Sequence, residues 1–391
     1  MIQTIRLKKN EEKRILNGHP WVFSNEIENF SSQIEPGIIV DIEDYKGRFI
    51  GRGYFNPRSL ISVRILTREK EEIDTAFFKK KIQAAYEHRK EIFPSEKAYR
   101  IVYSEGDFLP GLIADKYENV IVIQSLTAGI EKQLDNICNI LIEEFKPEAI
   151  VARNDAGIRE LEGLQLETKI LYGKLPDELV IERNGLKFKV DILSGQKTGF
   201  FFDQCENYLR LADIVKGKDV LDCFCYIGGW SLHAARYGAK SVVGIDSSEK
   251  AISTAKENAL LNGLGGKCNF EIADVFERLR GLNKEGKKFD VIILDPPAFA
   301  KSRAKIASAI KGYKEINLQA MQLLRPGGYL ITCSCSYNVS REQFLDMLIN
   351  AAVDIKKDAK LIEFRAQARD HPILLAVKET AYLKCAILQM L

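Results

Sequence analysis

From about residue 186 onward, short apolar runs alternate with longer stretches of helical period. The runs are "DVLDCF", "SVVGID", "CNFEIA", "DVIILD" and "YLITCS". Between them lie helical stretches such as "SSEKAISTAKENALLNG" and "YKEINLQAMQLL", the last ended by Arg325-Pro326-Gly327-Gly328. Apolar strands alternating with helices predict an α/β fold, a mostly parallel sheet covered by helices on both faces. Ligands of such sheets sit in the crevice at the carboxyl ends of the strands.

The earlier chain has a different rhythm. Residues 1 to 73 hold short alternations, "GIIVDIED", "RFIGRGYF" and "LISVRIL", punctuated by Pro36-Gly37, Lys46-Gly47 and Asn56-Pro57. That is the pattern of a small β-barrel. Asp74 offers an N-cap to "TAFFKKKIQAAYEHRKEIF", in which Phe78, Ile82 and Ala85 share one face. A strand "VIVIQS" and a helix "GIEKQLDNICNILIEEF" follow, so residues 74 to 185 read as a central α+β segment. Near its end, "ELVIERNGLKFKVDI" places two alternating runs around Asn184-Gly185, a strong hairpin signal. The hairpin leads into the α/β segment, residues 186 to 391.

Composition narrows this only slightly. With 391 residues, 46% of them hydrophobic and 28% charged, the chain is long enough for two or three domains. The start, "MIQTIRLKKNEEKR", is charged, and no apolar run approaches the roughly 20 residues of a membrane span, so a cytoplasmic protein is expected, with no membrane partner. Eight cysteines in such a chain read as reduced thiols rather than a disulfide framework. A net charge of +3 neither demands nor excludes a nucleic acid, so any basic footprint must be local.

The strand ends carry the chemistry. The first run closes on Asp222-Cys223-Phe224-Cys225-Tyr226-Ile227-Gly228-Gly229, and the second on Asp246 before Ser247. A glycine pair entering a helix lets a ligand approach the backbone, and an acid ending the second strand can hold ribose hydroxyls. The G-x-G-x-x-G series that cradles a pyrophosphate is missing. A nucleoside without phosphates therefore fits better than a dinucleotide, and S-adenosylmethionine answers that description. Asp274, ending the third strand, would lie beside the adenine or serve only as a helix N-cap.

The fourth strand ends in Asp295-Pro296-Pro297-Ala298-Phe299. Two prolines give a rigid, extended exit that holds Asp295 and Phe299 at the crevice mouth. In "LITCSCSYN" the strand should finish near Cys333, which leaves Cys335 in the loop beyond, next to the Asp295 loop if the two strands are neighbours. Cys333 reads as a packed thiol and Cys335 as a nucleophile, with an inert loop thiol as the alternative. Cys223/Cys225 and Cys333/Cys335 form two C-x-C pairs, whereas structural zinc sites favour two to four intervening residues. No metal is expected.

Together these residues resemble a known family. The third segment is similar to class I S-adenosylmethionine-dependent methyltransferases, with a seven-stranded Rossmann-like sheet. The whole chain resembles the large-subunit ribosomal RNA cytosine-C5 methyltransferases, built as a PUA-like barrel, a central α+β domain and that Rossmann-like domain. The matching stretches are "GHPWVFSNEI", "EGDFLPGLIADKY", "GQKTGFFFDQ", "DCFCYIGGW", "DPPAFAKS", "SCS", "DHP" and "YLK". Cys205 stands where an arginine often follows "DQ", and Ile227 where a threonine is usual. The Asp295 loop also lacks the Pro-Cys of two-cysteine RNA methyltransferases.

The resemblance implies S-adenosylmethionine as cofactor and large-subunit ribosomal RNA as partner. It implies that Thr198, Gly199, Phe200 and Asp203 close over the cofactor, with Tyr226, Gly228 and Gly229 by its methionine end. Asp246 would serve the ribose and Asp274 the adenine, and Asp222, Ser247 and Val275 complete the cofactor set. Cys335 matches the nucleophile. A thiolate at cytosine carbon 6 would push electron density onto carbon 5, and Asp295 would hold the amino edge of the flipped base. Pro296, Pro297 and Phe299 would line the base pocket, with His371 either beside them or holding a structural turn, while His19, Trp21 and Arg52 would grip RNA with the barrel's other cations, packing being the alternative for His19 and Trp21. Two other functions remain open: a purine amino-methyltransferase that uses the Asp-Pro-Pro loop without a thiol, and a ribosome assembly factor without activity. The oligomeric state is open too, a homodimer included.

Overall fold

The computed structural model describes residues 2–28, 34–300 and 303–391. The chain forms two compact units. One takes Met1–Ile181, Asp191–Phe202 and Arg369–Thr380, and the other Glu182–Val190, Asp203–Ala368 and Ala381–Leu391. The chain therefore crosses between units several times rather than once near residue 186. Among the described residues, no helix is long and apolar enough to cross a membrane.

The first unit holds two sheets. Strands β1 (Gln3–Arg6), β2 (Trp21–Phe23), β3 (Ile38–Glu43), β4 (Phe49–Phe55) and β5 (Ile61–Thr67) form one, ordered β1-β3-β4-β5-β2. It closes around buried Ile5, Val22, Val40, Ile42, Phe55, Val63 and Ile65. The second sheet is ordered β10-β9-β8-β7-β6, from β6 (Ala98–Tyr103), β7 (Leu112–Tyr117), β8 (Val120–Ser125), β9 (Ala149–Asn154) and β10 (Glu167–Gly173). Asp74 caps the helix Thr75–Ile92 as expected, its side chain accepting from the Phe77 amide. The helix expected from Gly129 to Phe145 is instead two, Ala128–Lys132 and Leu134–Phe145, with Gln133 outside helical geometry between them. Buried ion pairs brace the unit: Arg100 grips Asp115 through two bonds of 2.7 and 2.8 Å, and Arg89 holds Asp107.

Strands β11 (Leu179–Arg183) and β12 (Leu186–Val190) make the hairpin. Asn184 and Gly185 both take positive φ, 53° and 69°, which a two-residue turn matching the strand twist requires.

The second unit is built on β13 (Asp219–Cys223), β14 (Ser241–Asp246), β15 (Cys268–Ile272), β16 (Phe289–Leu294), β17 (Leu324–Ser334), β18 (Ala359–Arg365) and β19 (Lys384–Met390). Their order is β15-β14-β13-β16-β17-β19-β18, parallel except for β19, which runs antiparallel to both neighbours. The order reverses beside β13, so the crevice opens at the carboxyl ends of β13 and β16. Leu221, Ile292, Leu294, Leu330, Tyr313, Met321 and Phe344 are among the buried residues that seal sheet and helices together. Arg325-Pro326-Gly327-Gly328 does follow a helix, Ile306–Leu323, but forms a bulge at the start of β17. There Asp290 faces all four residues, and Gly327 has φ 75°.

Candidate active site

The loop leaving β13 is strained: Phe224, Tyr226 and Gly228 all have positive φ, at 64°, 49° and 90°. A left-handed conformation costs a non-glycine residue about 1–2 kcal/mol, so neighbours must hold it. The Cys225 amide donates to the Ile245 carbonyl (3.0 Å), and the Tyr226 amide to Asp246 Oδ2 (3.0 Å). The amide of Asn258, on helix Glu249–Leu261, donates to the Ile227 carbonyl (3.1 Å). A side chain on Gly229, which opens the helix Gly229–Arg236, would come within 2.7 Å of the Tyr208 hydroxyl. Glycine at 229 thus lets the tight loop pack closely on Tyr208.

Acids ring this loop unequally. Asp246 is half-buried and Ser247 exposed; Asp246 Oδ1 accepts from the Ser248 amide (2.9 Å). Asp274 is exposed and caps the helix Val275–Lys284 through the Glu277 amide (3.0 Å), while Val275 is buried. Asp222 differs from expectation because it is fully buried beneath the loop. Ser231 Oγ donates to its Oδ2 (2.6 Å), and its Oδ1 has no partner among the described residues. Burial first, then the charges of Asp295 and Asp246, push its carboxyl up to about 8 against the pull of Ser231. Asp222 supports the loop from below, and Asp246 and Asp274 face outward.

Asp295, the first residue after β16, is aimed by two donors. Gln204 Nε2 bonds its Oδ1 and Trp230 Nε1 its Oδ2, each at 3.0 Å. Gln204 is itself oriented, since its Oε1 accepts from Asn207 Nδ2 (2.7 Å), and Asn207 Oδ1 accepts from Arg365 Nε (2.8 Å). These residues were not singled out from sequence, although Gln204 and Trp230 lie inside quoted motifs. Asp203 is buried and accepts from the Tyr382 hydroxyl (2.5 Å).

Cys335 follows the last residue of β17 and stays partly exposed, its thiol pointing to the Pro296 carbonyl at 3.8 Å. The Ala300 amide donates to Ser336 Oγ (3.2 Å), and the Asn338 amide group to the Ala300 carbonyl (3.3 Å). The thiol loop and the Asp295 loop are therefore stitched side by side. Cys223, Cys225 and Cys333 are buried, and burial pushes each of their thiols well up. Pro296 is buried and Pro297 exposed; the half-buried Phe299 ring packs on Tyr313, 4.6 Å between centroids. Lys301 and Ser302, closing the "DPPAFAKS" match, lie outside the described residues.

The remaining candidates belong to the first unit. Thr198 is fully buried, donating to Asp115 Oδ2 (2.6 Å) with its hydroxyl 2.9 Å from that of Tyr117; Gly199 has φ 123°, and Phe200 is buried. His371 is buried with Nδ1 on Asp370 (2.7 Å). His19 packs edge-on to Trp21, whose indole donates to Glu105 (2.8 Å); burial lowers the His19 pKa. Arg52 is buried and clamped on Asp41 at 2.6 and 3.1 Å, so its guanidinium is not displayed as an RNA contact. Lys8, Lys9, Lys13 and Arg58 remain exposed.

A Rossmann-like sheet with acids at its strand ends and a tight glycine loop at its switch point defines a nucleoside-binding enzyme of the methyltransferase type. A model of the S-adenosylmethionine-dependent methyltransferases matches residues 165–388, and a PUA-like domain model residues 5–68. A ribosomal RNA large subunit methyltransferase I from Shewanella denitrificans is 44% identical over 97% of both chains, and one from Tolumonas auensis 42% identical over 98% of both. Among solved structures, a putative methyltransferase from Streptococcus mutans matches over 100% of both chains at 21% identity and TM-score 0.85. Another, a putative methyltransferase in complex with SAH, matches over the same share at 21% and TM-score 0.86. The chain belongs to the S-adenosylmethionine-dependent methyltransferases and, within them, to the family of ribosomal RNA large subunit methyltransferase I. S-adenosylmethionine is its cofactor, and the residues fit it: the half-buried carboxylate of Asp246 and the exposed one of Asp274 suit hydroxyl and amino donors.

Proposed function

We propose that this chain methylates carbon 5 of a cytosine in large-subunit ribosomal RNA, with Cys335 as nucleophile. The supporting observation is the thiol's position: it stands partly exposed just past the end of β17, bound to the Asp295 loop, while the thiols at Cys223, Cys225 and Cys333 are buried. The relatives' names supply the RNA class, and the PUA-like match, with exposed Lys8, Lys9, Lys13 and Arg58, supports a grip on phosphates.

The chemistry follows from the weak nucleophilicity of cytosine carbon 5. Cys335 Sγ, as thiolate, adds to carbon 6, and the displaced π electrons make carbon 5 nucleophilic. S-adenosylmethionine supplies a sulfonium-bound methyl that carbon 5 takes up, the sulfur keeping the bond electrons. A base then removes the carbon 5 proton, and elimination returns the thiolate to Cys335 and restores the ring double bond. Asp295, aimed by Gln204 and Trp230, holds the amino edge of the extruded base as positive charge develops on the ring. Asp246 takes the ribose hydroxyls and Asp274 the adenine edge.

Replacing Cys335 with Ala should abolish 5-methylcytosine formation, read by mass mapping of ribosomal RNA nucleosides, and leave cofactor affinity at the wild-type value. Retained activity with an amino-methylated adenine or guanine as product would establish the purine reading instead.

A further inference from the structure

Lys384 opens β19 directly across from Ser334, the residue before the nucleophile. It is 6% exposed, and among the described residues no carboxylate pairs with it. Its Nζ instead meets three backbone carbonyls, of Ser336 (2.7 Å), Val339 (2.9 Å) and Tyr382 (2.9 Å). Three acceptors need three N–H groups, which only the ammonium has. A buried ammonium without a carboxylate is expensive unless a counter-charge can form nearby.

Cys335 is the group that can supply it. We propose that Lys384 is the positioning residue and built-in counter-ion of the Cys335 thiolate, fixing the turn behind the sulfur and holding a positive charge beside it. This rests on the reading of Cys335 as nucleophile. Burial pushes the Lys384 ammonium down to about 8, and the Cys335 thiolate pulls it back up. The other titratable groups facing the thiol loop do not offer that charge. Tyr313, from the helix Ile306–Leu323, bonds Ser336 Oγ (2.8 Å); Asp295 lies on the β16 loop; Cys333 and Cys385 are buried opposite one another. A free thiol near pKa 8.5 is only a few per cent ionised at neutral pH, and a nearby ammonium raises that fraction.

The test is the pH dependence of Cys335 alkylation by iodoacetamide in the full chain, resolved by peptide mass spectrometry, for wild type, Lys384→Met and Lys384→Arg. A lost counter-ion moves the inflection upward by at least about one pH unit and slows alkylation at pH 7 about tenfold or more, with Lys384→Arg recovering part of it. A merely displaced loop changes the rate equally at every pH. An unmoved inflection in Lys384→Met overturns the proposal. So does a wild-type inflection at or above the ordinary thiol value of about 8.5, a result that needs no folded variant. Alkylation reads the thiol's ionisation whatever the reaction, so active Cys335→Ala would sink the adduct mechanism while leaving this measurement to stand or fall alone.

Discussion

Asp222→Asn should stabilise the second unit, by an amount that grows with pH. The carboxyl is fully buried, one oxygen bonded to Ser231 and the other without a partner among the described residues. Burial, then the Asp295 and Asp246 charges, raise it from the ordinary 3.8 to about 8. The sign follows from proton counting. Between those values the folded unit keeps the proton while the unfolded chain has lost it, so the stability present below pH 4 is lost as pH rises toward 8. Each pH decade is worth about 1.4 kcal/mol, so the three decades up to pH 7 set an upper limit of about 4 kcal/mol. Asparagine matches the protonated acid in shape, accepts the Ser231 bond and cannot ionise. The chain has two tryptophans, and Trp230 is buried in the second unit, so a Trp21→Phe background reports that unit by fluorescence during urea unfolding. The variant's advantage should be near zero at pH 4 and reach roughly 2–4 kcal/mol at pH 7. A gap that stays flat across this range would refute the protonated-acid reasoning.

Trp230→Phe removes the indole donor from Asp295 but keeps a ring against Tyr208, so single-turnover methyl transfer should slow about tenfold to a hundredfold, the worth of a charged hydrogen bond. Ser340→Ala breaks the capping box with Gln343 that starts the helix Arg341–Asp354; calorimetry should find a loss of about 1 kcal/mol. Cys333→Ala removes one sulfur from a sealed position, so methyl transfer should remain within twofold of wild type while urea unfolding registers about 1 kcal/mol.

The central strands were legible because parallel strands buried on both faces need an apolar centre, and Val220-Leu221, Val242-Val243, the run from Val291 to Leu294 and Leu330-Ile331 form it, with polar residues towards the strand ends. The hairpin was legible because its two positive φ angles demand residues like Asn184 and Gly185. Edge strand β18, "AKLIEFR", has an exposed to half-buried pattern that no periodicity singles out. Long-range pairing was equally hidden: the Arg100 amide meets Asp370, 270 residues away, which draws the segment Arg369–Thr380 into the first unit. Arg52 read as a phosphate contact because its neutraliser, Asp41, becomes its cross-strand partner only once β3 and β4 pair. Asp222 read as a cofactor ligand because an acid at a strand end looks the same from above or below the loop.

The two thiols of "TCSC" carry this lesson to the chemistry. A period of two puts Cys333 and Cys335 on one side of an extended chain, so side-chain alternation alone cannot separate them. They are separated by where the ladder stops. The last pair of β17 and β19 is Ser334 with Lys384; Cys333, one step inside, is opposed by Cys385 and sealed, whereas Cys335, one step outside, reaches the crevice. The strand that ends the ladder also delivers the buried Lys384 amine to the turn behind Cys335, which no local reading of "YLK" could supply, because β19 reaches that turn from 48 residues further along the chain. Extending the ladder by a single pair would bury Cys335, so under the proposed adduct chemistry the ladder's length is itself part of the site.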